Sequence, residues 1–213
     1  MSRPEVVVFD LGKVLVDFDY SIASRRIAQR GTLGMDAVQD FIDHSPLLYR
    51  YETGLIDQKQ FFEEVRRATG FLGDIGEFGK FFADIFTEIP DMIALHGRLR
   101  RARVPVFIFS NTNDLAIGHI RRNFPFFEQF DAHVLSYEHG AMKPDAKLYE
   151  IVEQVTGRAG GEILYLDDRI ENVEAGRARG WQVIHHRDSA ESIREVEATG
   201  LPAPACSGLG ELP

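Results

Sequence analysis

The stretch "VVVFDLGKVLVDFD" at residues 6–19 opens on four apolar residues and stops at an acid, Asp10. An apolar run without polar alternation reads as a strand buried on both faces, the pattern of a parallel sheet covered by helices. Similar runs follow at 104–111 "VPVFIFSN", 132–138 "AHVLSYE" and 162–168 "EILYLDD", with a weaker fifth at 181–186 "WQVIHH". Helical patterns lie between them at 91–102, 114–124, 144–157 and 170–180; the last two stop at Gly157 and Gly180. This alternation predicts an α/β fold, a doubly wound Rossmann-like parallel sheet.

The interval from Val16 to Pro90 has helical periodicity and no convincing strand. Its candidate helices include "DQKQFFEEVRRATG", with Asp57 as N-cap. Its aromatic pairs, Phe61–Phe62 and Phe81–Phe82, read as bundle core. The expected organisation is an α/β core of residues 1–15 and 91–200, a small inserted helical domain of residues 16–90, and a loosely packed Pro/Gly-rich tail of residues 201–213.

A chain of 213 residues is long enough for this arrangement and for a real core. The formal charge of −9 argues against a nucleic-acid footprint or an anionic membrane surface, but not against one phosphate held by a few local donors. Cys206 is the single cysteine, so no internal disulfide forms, which fits a reducing compartment. The start does not read as a signal peptide, and no run is long and apolar enough for a membrane span. The expectation is a soluble cytoplasmic protein, a monomer or homodimer.

Ligands of open parallel sheets sit beyond the carboxyl ends of the strands. Asp10 stands at that end of the first strand, Ser110–Asn111 at the second, and Asp167–Asp168 at the fourth; Lys143 lies in the segment after the third. These four clusters are far apart in sequence and converge on one crevice. A carboxylate there can attack phosphorus, and Mg²⁺ held by carboxylates would cancel the repulsion between two anions. Asp10 and Asp168 are the candidate direct ligands, and Asp167 could hold a metal-bound water. The Ser110 hydroxyl and backbone N–H groups near Asn111 can grip phosphoryl oxygens, while Lys143 adds positive charge where negative charge collects.

In this order, "FDLGKV", "FSN", "KPD" and "LDDRIENVEAG" resemble the four motifs of the haloacid dehalogenase superfamily, and the likeness covers the chain except its tail. The details "DLGKVLVDFD", "YETGLIDQKQF" and "FSNTN" are most similar to the branch of glucose-1-phosphatase-like enzymes and the N-terminal phosphatase domain of epoxide hydrolases. The resemblance implies a hydrolase that cleaves a small phosphorylated metabolite through an aspartyl-phosphate. It implies Asp10 as nucleophile; Asp10, the Gly12 carbonyl and Asp168 as ligands of Mg²⁺; and Ser110, Asn111 and Lys143 as phosphoryl-binding residues. It also implies Asp167 and Asn172 behind the metal acids, with Asn172 orienting them. The inserted helices resemble that superfamily's cap, which selects the substrate; Asp17, Asp19, Arg50 and Tyr51 are its candidate contacts.

The chain departs from the superfamily at Gly12, where its phosphatases usually carry a second Asp that protonates the leaving group and then activates water. Such proton transfer is typically worth about a hundred- to ten-thousand-fold. A substrate with an easier leaving group, such as a sugar phosphorylated on its anomeric carbon, tolerates the loss. The alternatives are a non-catalytic phosphate-binding or regulatory protein and a 2-haloacid dehalogenase. Lys13 either adds charge near the phosphate or points into solvent.

Overall fold

The computed structural model describes residues 3–201. In chain order its elements are β1 (Val6–Phe9), β2 (Val16–Phe18), α1 (Tyr20–Ala28), α2 (Met35–His44), α3 (Leu47–Glu52), α4 (Gln58–Thr69), α5 (Ile75–Ala83), β3 (Phe86–Glu88) and α6 (Pro90–Arg101). Then follow β4 (Val106–Ser110), α7 (Asp114–Asn123), β5 (Ala132–Leu135), α8 (Ser136–His139), α9 (Ala146–Thr156), β6 (Ile163–Asp167), α10 (Ile170–Ala178), β7 (Gln182–His185) and α11 (Ser189–Ala198).

Five strands form one parallel sheet in the order β5-β4-β1-β6-β7. The central strand β1 is buried along its whole length and alternates between two cores. Val7 and Phe9 join the cluster that includes Met92, Leu95 and Leu99 of α6 and Ile117 and Ile120 of α7. Val6 and Val8 join the one that includes Leu148, Tyr149 and Val152 of α9. Helices therefore cover both faces, which is why β1 has no polar residue before Asp10. Pairing of Phe9 with Ile108 on one side and Leu166 on the other sets the ends of β1, β4 and β6 level.

Helices α1–α5 close a separate aromatic core. Phe61, Phe62, Phe71, Phe78 and Phe82 are buried in it, with Phe78 touching the other four at centroid distances of 5.3–6.0 Å. Asp57 starts α4 through a reciprocal capping box: its carboxylate accepts from the Gln60 backbone N–H, and the Gln60 side chain accepts from that of Asp57.

The interval 16–90 differs from its all-helical reading in one respect. Strands β2 and β3 pair antiparallel, Phe18 opposite Phe86, where the chain leaves the large sheet and returns to it. Each has three residues, too few to display a period of two. The third predicted large-sheet strand is also shorter than expected. It ends at Leu135, and from Ser136 the chain turns into α8. Of the expected tail only Leu201 is described, and it is buried against the sheet core; residues 202–213, Cys206 among them, lie outside the described residues. No helix among the described residues is long and apolar enough to cross a membrane.

Phe78 fills the centre of the aromatic cluster, so Phe78→Ala should cost about 3–5 kcal/mol from lost burial and the cavity left behind. Equilibrium urea unfolding, followed by circular dichroism, measures this.

Candidate active site

The chain turns sharply after β1. Leu15 and Val16 N–H both bond to the Leu11 carbonyl, and Lys13 N–H bonds to the Val16 carbonyl. Lys13 takes a left-handed backbone conformation, φ 59°, which is uncommon outside glycine. The turn leaves Asp10 at the sheet edge, its N–H bonded to the Leu166 carbonyl of the neighbouring strand and its carboxylate accepting from Leu11 N–H at 2.6 Å.

Lys143 reaches this edge from the loop between α8 and α9. Its Nζ lies 3.0 Å from Asp10 Oδ1 and 2.6 Å from Asp167 Oδ2, and it donates to the Phe109 carbonyl at 2.8 Å. The Lys143 side chain is 1% exposed and that of Asp167 is 0% exposed, so the ammonium is held entirely by protein oxygens. Asn111 fixes the loop: its Oδ1 accepts from Lys143 N–H at 2.7 Å and its Nδ2 donates to the Lys143 carbonyl at 3.1 Å.

Asp167 is saturated. Its oxygens accept from Lys143, the Tyr165 hydroxyl, the Arg169 N–H at 2.8 Å and Asn172 Nδ2 at 3.0 Å. Asn172 is anchored in turn, because its carbonyl accepts from the Tyr149 hydroxyl at 2.8 Å. One oxygen each of Asp10, Asp167 and Asp168 lie within 4.8 Å of one another.

Burial raises the Asp10 carboxyl well above its ordinary value; Lys143 opposes this, and Asp167 and Asp168 add to it. Burial also raises Asp168, with Asp167 adding to the rise. Asp167 goes the other way: burial would raise it, but Lys143, Tyr165 and the Arg169 N–H hold it below the usual carboxylate range. Lys143 is pulled up by Asp10 and Asp167 against its own burial. Three acids face one ammonium here, a surplus of negative charge in a site built of hard oxygen donors.

A pocket of about 220 Å³ opens over this edge. Asp10, Gly12, Ser110, Asn111, Lys143, Asp168 and Asn172 all line it, so the structure brings these sequence-derived residues together; Asp167 stands directly behind them. Asp17, Asp19, Arg50 and Tyr51 are not in its lining. Asp17 pairs with Lys13, and Asp19 caps α1 through Ser21 N–H. Arg50 pairs with Glu64 at 3.0 Å, and Tyr51 donates its hydroxyl to Asp114. Lys13 sits at the rim, its ammonium on Asp17 and the Phe18 carbonyl.

Sequence reasoning missed Glu52, Asn113 and Arg169, which line the pocket. Glu52 comes from the end of α3, beside two residues the sequence did single out. Burial pushes its carboxyl up to about 7, against the pull of the Arg169 guanidinium and the Asn113 amide. Asn113 is 1% exposed; its Oδ1 caps α7 through Ala116 N–H, which leaves its amide nitrogen for the Glu52 side. The signal available in sequence was "YETG", but a helix end presents three consecutive side chains in three directions.

Comparison with known proteins bears on this arrangement. A family model described as haloacid dehalogenase-like hydrolase matches residues 4–180. A D-ribitol-5-phosphate phosphatase of Bacteroides thetaiotaomicron is 23% identical, over 89% of this chain and 95% of its own. The pyrimidine 5'-nucleotidase YjjG of Escherichia coli is 27% identical, over 88% and 89% respectively. Among solved structures, a HAD family enzyme of Bacteroides thetaiotaomicron in complex with magnesium and inorganic phosphate superposes with a TM-score of 0.78. That alignment is 21% identical and covers 86% of this chain and 94% of the other, which establishes a shared fold.

Removing the ammonium should expose how the edge is held together. Lys143→Met leaves buried carboxylates without their counter-charge, at a cost of about 3–5 kcal/mol near neutral pH. A carboxyl raised in the folded state takes up a proton that the unfolded chain releases, so the variant should recover stability as pH falls from neutral toward the ordinary carboxylate range. Urea midpoints of variant and wild type across that range, in EDTA, measure it.

Proposed function

The chain belongs to the haloacid dehalogenase-like hydrolases, and from that premise we propose that it is a Mg²⁺-dependent phosphomonoesterase working through an aspartyl-phosphate on Asp10. The observation that carries this reading is the contact of the pocket-lining Asp10 carboxylate with a buried ammonium, Lys143, among three clustered acids.

The residues suit the cation. Asp167 already accepts hydrogen bonds from four groups, whereas Asp10 and Asp168 face the pocket, so these two and the Gly12 carbonyl would hold Mg²⁺. When bound, the ion supplies charge neutralisation between the carboxylates and the phosphoryl oxygens.

The protein groups do the rest. An Asp10 oxygen attacks phosphorus, and the ester oxygen leaves with its bonding pair. Lys143 stabilises the negative charge at the reacting centre, as do the Ser110 hydroxyl and the backbone N–H of Asn111. The Asn111 side chain is spent on the Lys143 loop, so that residue acts on phosphate by its backbone and on Lys143 by its amide. Water then cleaves the aspartyl-phosphate, returning Asp10 and releasing inorganic phosphate.

The substrate is a small phosphorylated metabolite. The pocket is smaller than the roughly 300–1,000 Å³ usual for drug-sized ligands. Residues 16–90 act as the cap that screens what enters. Because residue 12 supplies no proton, a sugar phosphate esterified at its anomeric carbon suits the site well. The relatives named for D-ribitol 5-phosphate and pyrimidine nucleotides make a phosphorylated metabolite the fitting class.

Phosphate release from p-nitrophenyl phosphate and from a panel of sugar phosphates, with Mg²⁺ and with EDTA, tests the reading. Release should require Mg²⁺, and Asp10→Asn should lower it about a thousandfold or more. No release from any ester, with Mg²⁺ still bound, would point instead to a phosphate-binding regulatory protein.

A further inference from the structure

The place beside Asp10 where a side chain on residue 12 would stand is already filled. A Cβ on Gly12 would come within 2.9 Å of Phe18 Cε1. Phe18 is held in turn by the rings of Tyr20 and Phe86, at 5.5 and 6.0 Å, and by the Lys13 ammonium 4.6 Å from its centroid. Gly12 therefore belongs to a packed aromatic wall. An acid there would need the wall to move, so a substrate whose leaving group needs a proton must receive it from another part of the pocket.

The titratable groups lining the pocket can be taken in turn. Asp10 is the nucleophile and Asp168 belongs to the acid cluster. Lys143 is locked between two carboxylates, and Lys13 is paired with Asp17. Arg169 is a cation with no proton to spare. Burial holds the Tyr20 phenol far above neutral range, with Glu52 adding to the effect. Glu52 is the group left, and it comes from the end of α3, among the inserted helices.

Its position is firmly set. The Glu52 carbonyl accepts from Ser136 Oγ at 2.6 Å, and the same hydroxyl oxygen accepts from Thr112 N–H at 2.9 Å, next to the phosphoryl-binding loop. On one side of Glu52, the Tyr51 hydroxyl bonds to Asp114 at the start of α7. On the other, Gly54 takes φ +68° and lies so close to the Tyr137 carbonyl that a Cβ would collide with it. These three contacts clasp the end of α3 onto the α/β core. Beside the Glu52 carboxyl stands Asn113, whose buried amide favours the charged form of the carboxyl.

We propose that Glu52 protonates the leaving-group oxygen as Asp10 attacks, and then removes a proton from the water that hydrolyses the aspartyl-phosphate. The assignment rests on the phosphatase reading above and extends it to alkyl phosphates, such as polyol and terminal sugar phosphates. In the first step the Asp10 oxygen–phosphorus bond forms and the ester phosphorus–oxygen bond breaks. The leaving oxygen keeps the electron pair and receives the Glu52 proton. In the second step Glu52 takes a proton from water, the water oxygen bonds to phosphorus, and Asp10 leaves as carboxylate. Both residues return to their starting state, and the net reaction is ester plus water to alcohol plus phosphate.

The environment of Glu52 agrees with this double duty. A carboxyl near 7 exists in both forms at neutral pH, where acid and base are both needed. The groups acting on it are Arg169 at the start of α10, Asn113 before α7 and, from α1, Tyr20. Arg169 is the charged one, and it favours the carboxylate; burial outweighs it.

The test uses Glu52→Gln, which keeps size and polarity but cannot titrate, and Glu52→Asp, which can. Rates of aspartyl-phosphate formation are compared between p-nitrophenyl phosphate, whose leaving group needs no proton, and glycerol 3-phosphate. Glu52→Gln should slow the first step about a hundredfold or more on the alkyl ester yet leave the p-nitrophenolate burst within about threefold. On the alkyl ester, wild-type kcat should fall as pH rises through about 7, because the proton donor is lost; the limb should vanish in Glu52→Gln and return in Glu52→Asp. Equal losses on both esters would overturn the assignment, as would a KM change with kcat and its pH profile unmoved. Wild-type release with Glu52→Gln unchanged on every ester overturns Glu52 alone. No wild-type release from any ester overturns the phosphatase reading and this one together.

Discussion

Everything at the carboxyl edge of the sheet is arranged around one buried ammonium. Lys143 lies between Asp10 and Asp167, out of contact with water, and its third hydrogen bond goes to the Phe109 carbonyl. A buried charge is tolerated only when its partners replace the solvent it lost. The surroundings supply such partners in layers. Asn111 clamps the loop that carries Lys143, while Tyr165, Asn172 and the Arg169 N–H fill the remaining positions on Asp167. Asp10 and Asp168 are left as the acids of the cluster that face the pocket, both raised by burial.

The parallel sheet makes this possible by bringing distant segments level. Because β4, β1 and β6 are neighbours in register, the residues that follow them meet without any long-range motif in the chain. The helices α1–α5 are built on different physics, an aromatic core of their own, and meet the sheet edge through a few specific contacts. Chief among these is the Ser136 hydroxyl, which joins the Glu52 carbonyl to the Thr112 backbone. The strand predicted through 138 stops at Leu135 because the backbone enters α8 at Ser136.

Much of the site was legible because strand ends are simple to read. The last residue of a buried strand and the one after it have one place to go, the edge of the sheet, and Ser110, Asp167, Asp10 and Asp168 are of that kind. The helical region was legible as helical, and Asp57 as the start of α4, because caps and apolar stripes are local features. The short pair β2–β3 was not, since its strands are joined only by a contact between segments far apart in the chain.

The amino-acid order alone therefore determined the alternation of strand and helix, the acids and lysine at the strand ends, and the absence of a side chain at Gly12. Tertiary structure decided what those residues do with their neighbours. It filled the space beside Gly12 with Phe18, turned Lys13 to Asp17, and spent the Asn111 amide on the Lys143 loop. Of the three residues that end α3, it also put Glu52, and neither Arg50 nor Tyr51, in the lining of the pocket. The reason is geometric: successive residues of a helix point about 100° apart, so the one that meets a ligand depends on how the helix docks. That docking is set by contacts between segments that no local pattern connects.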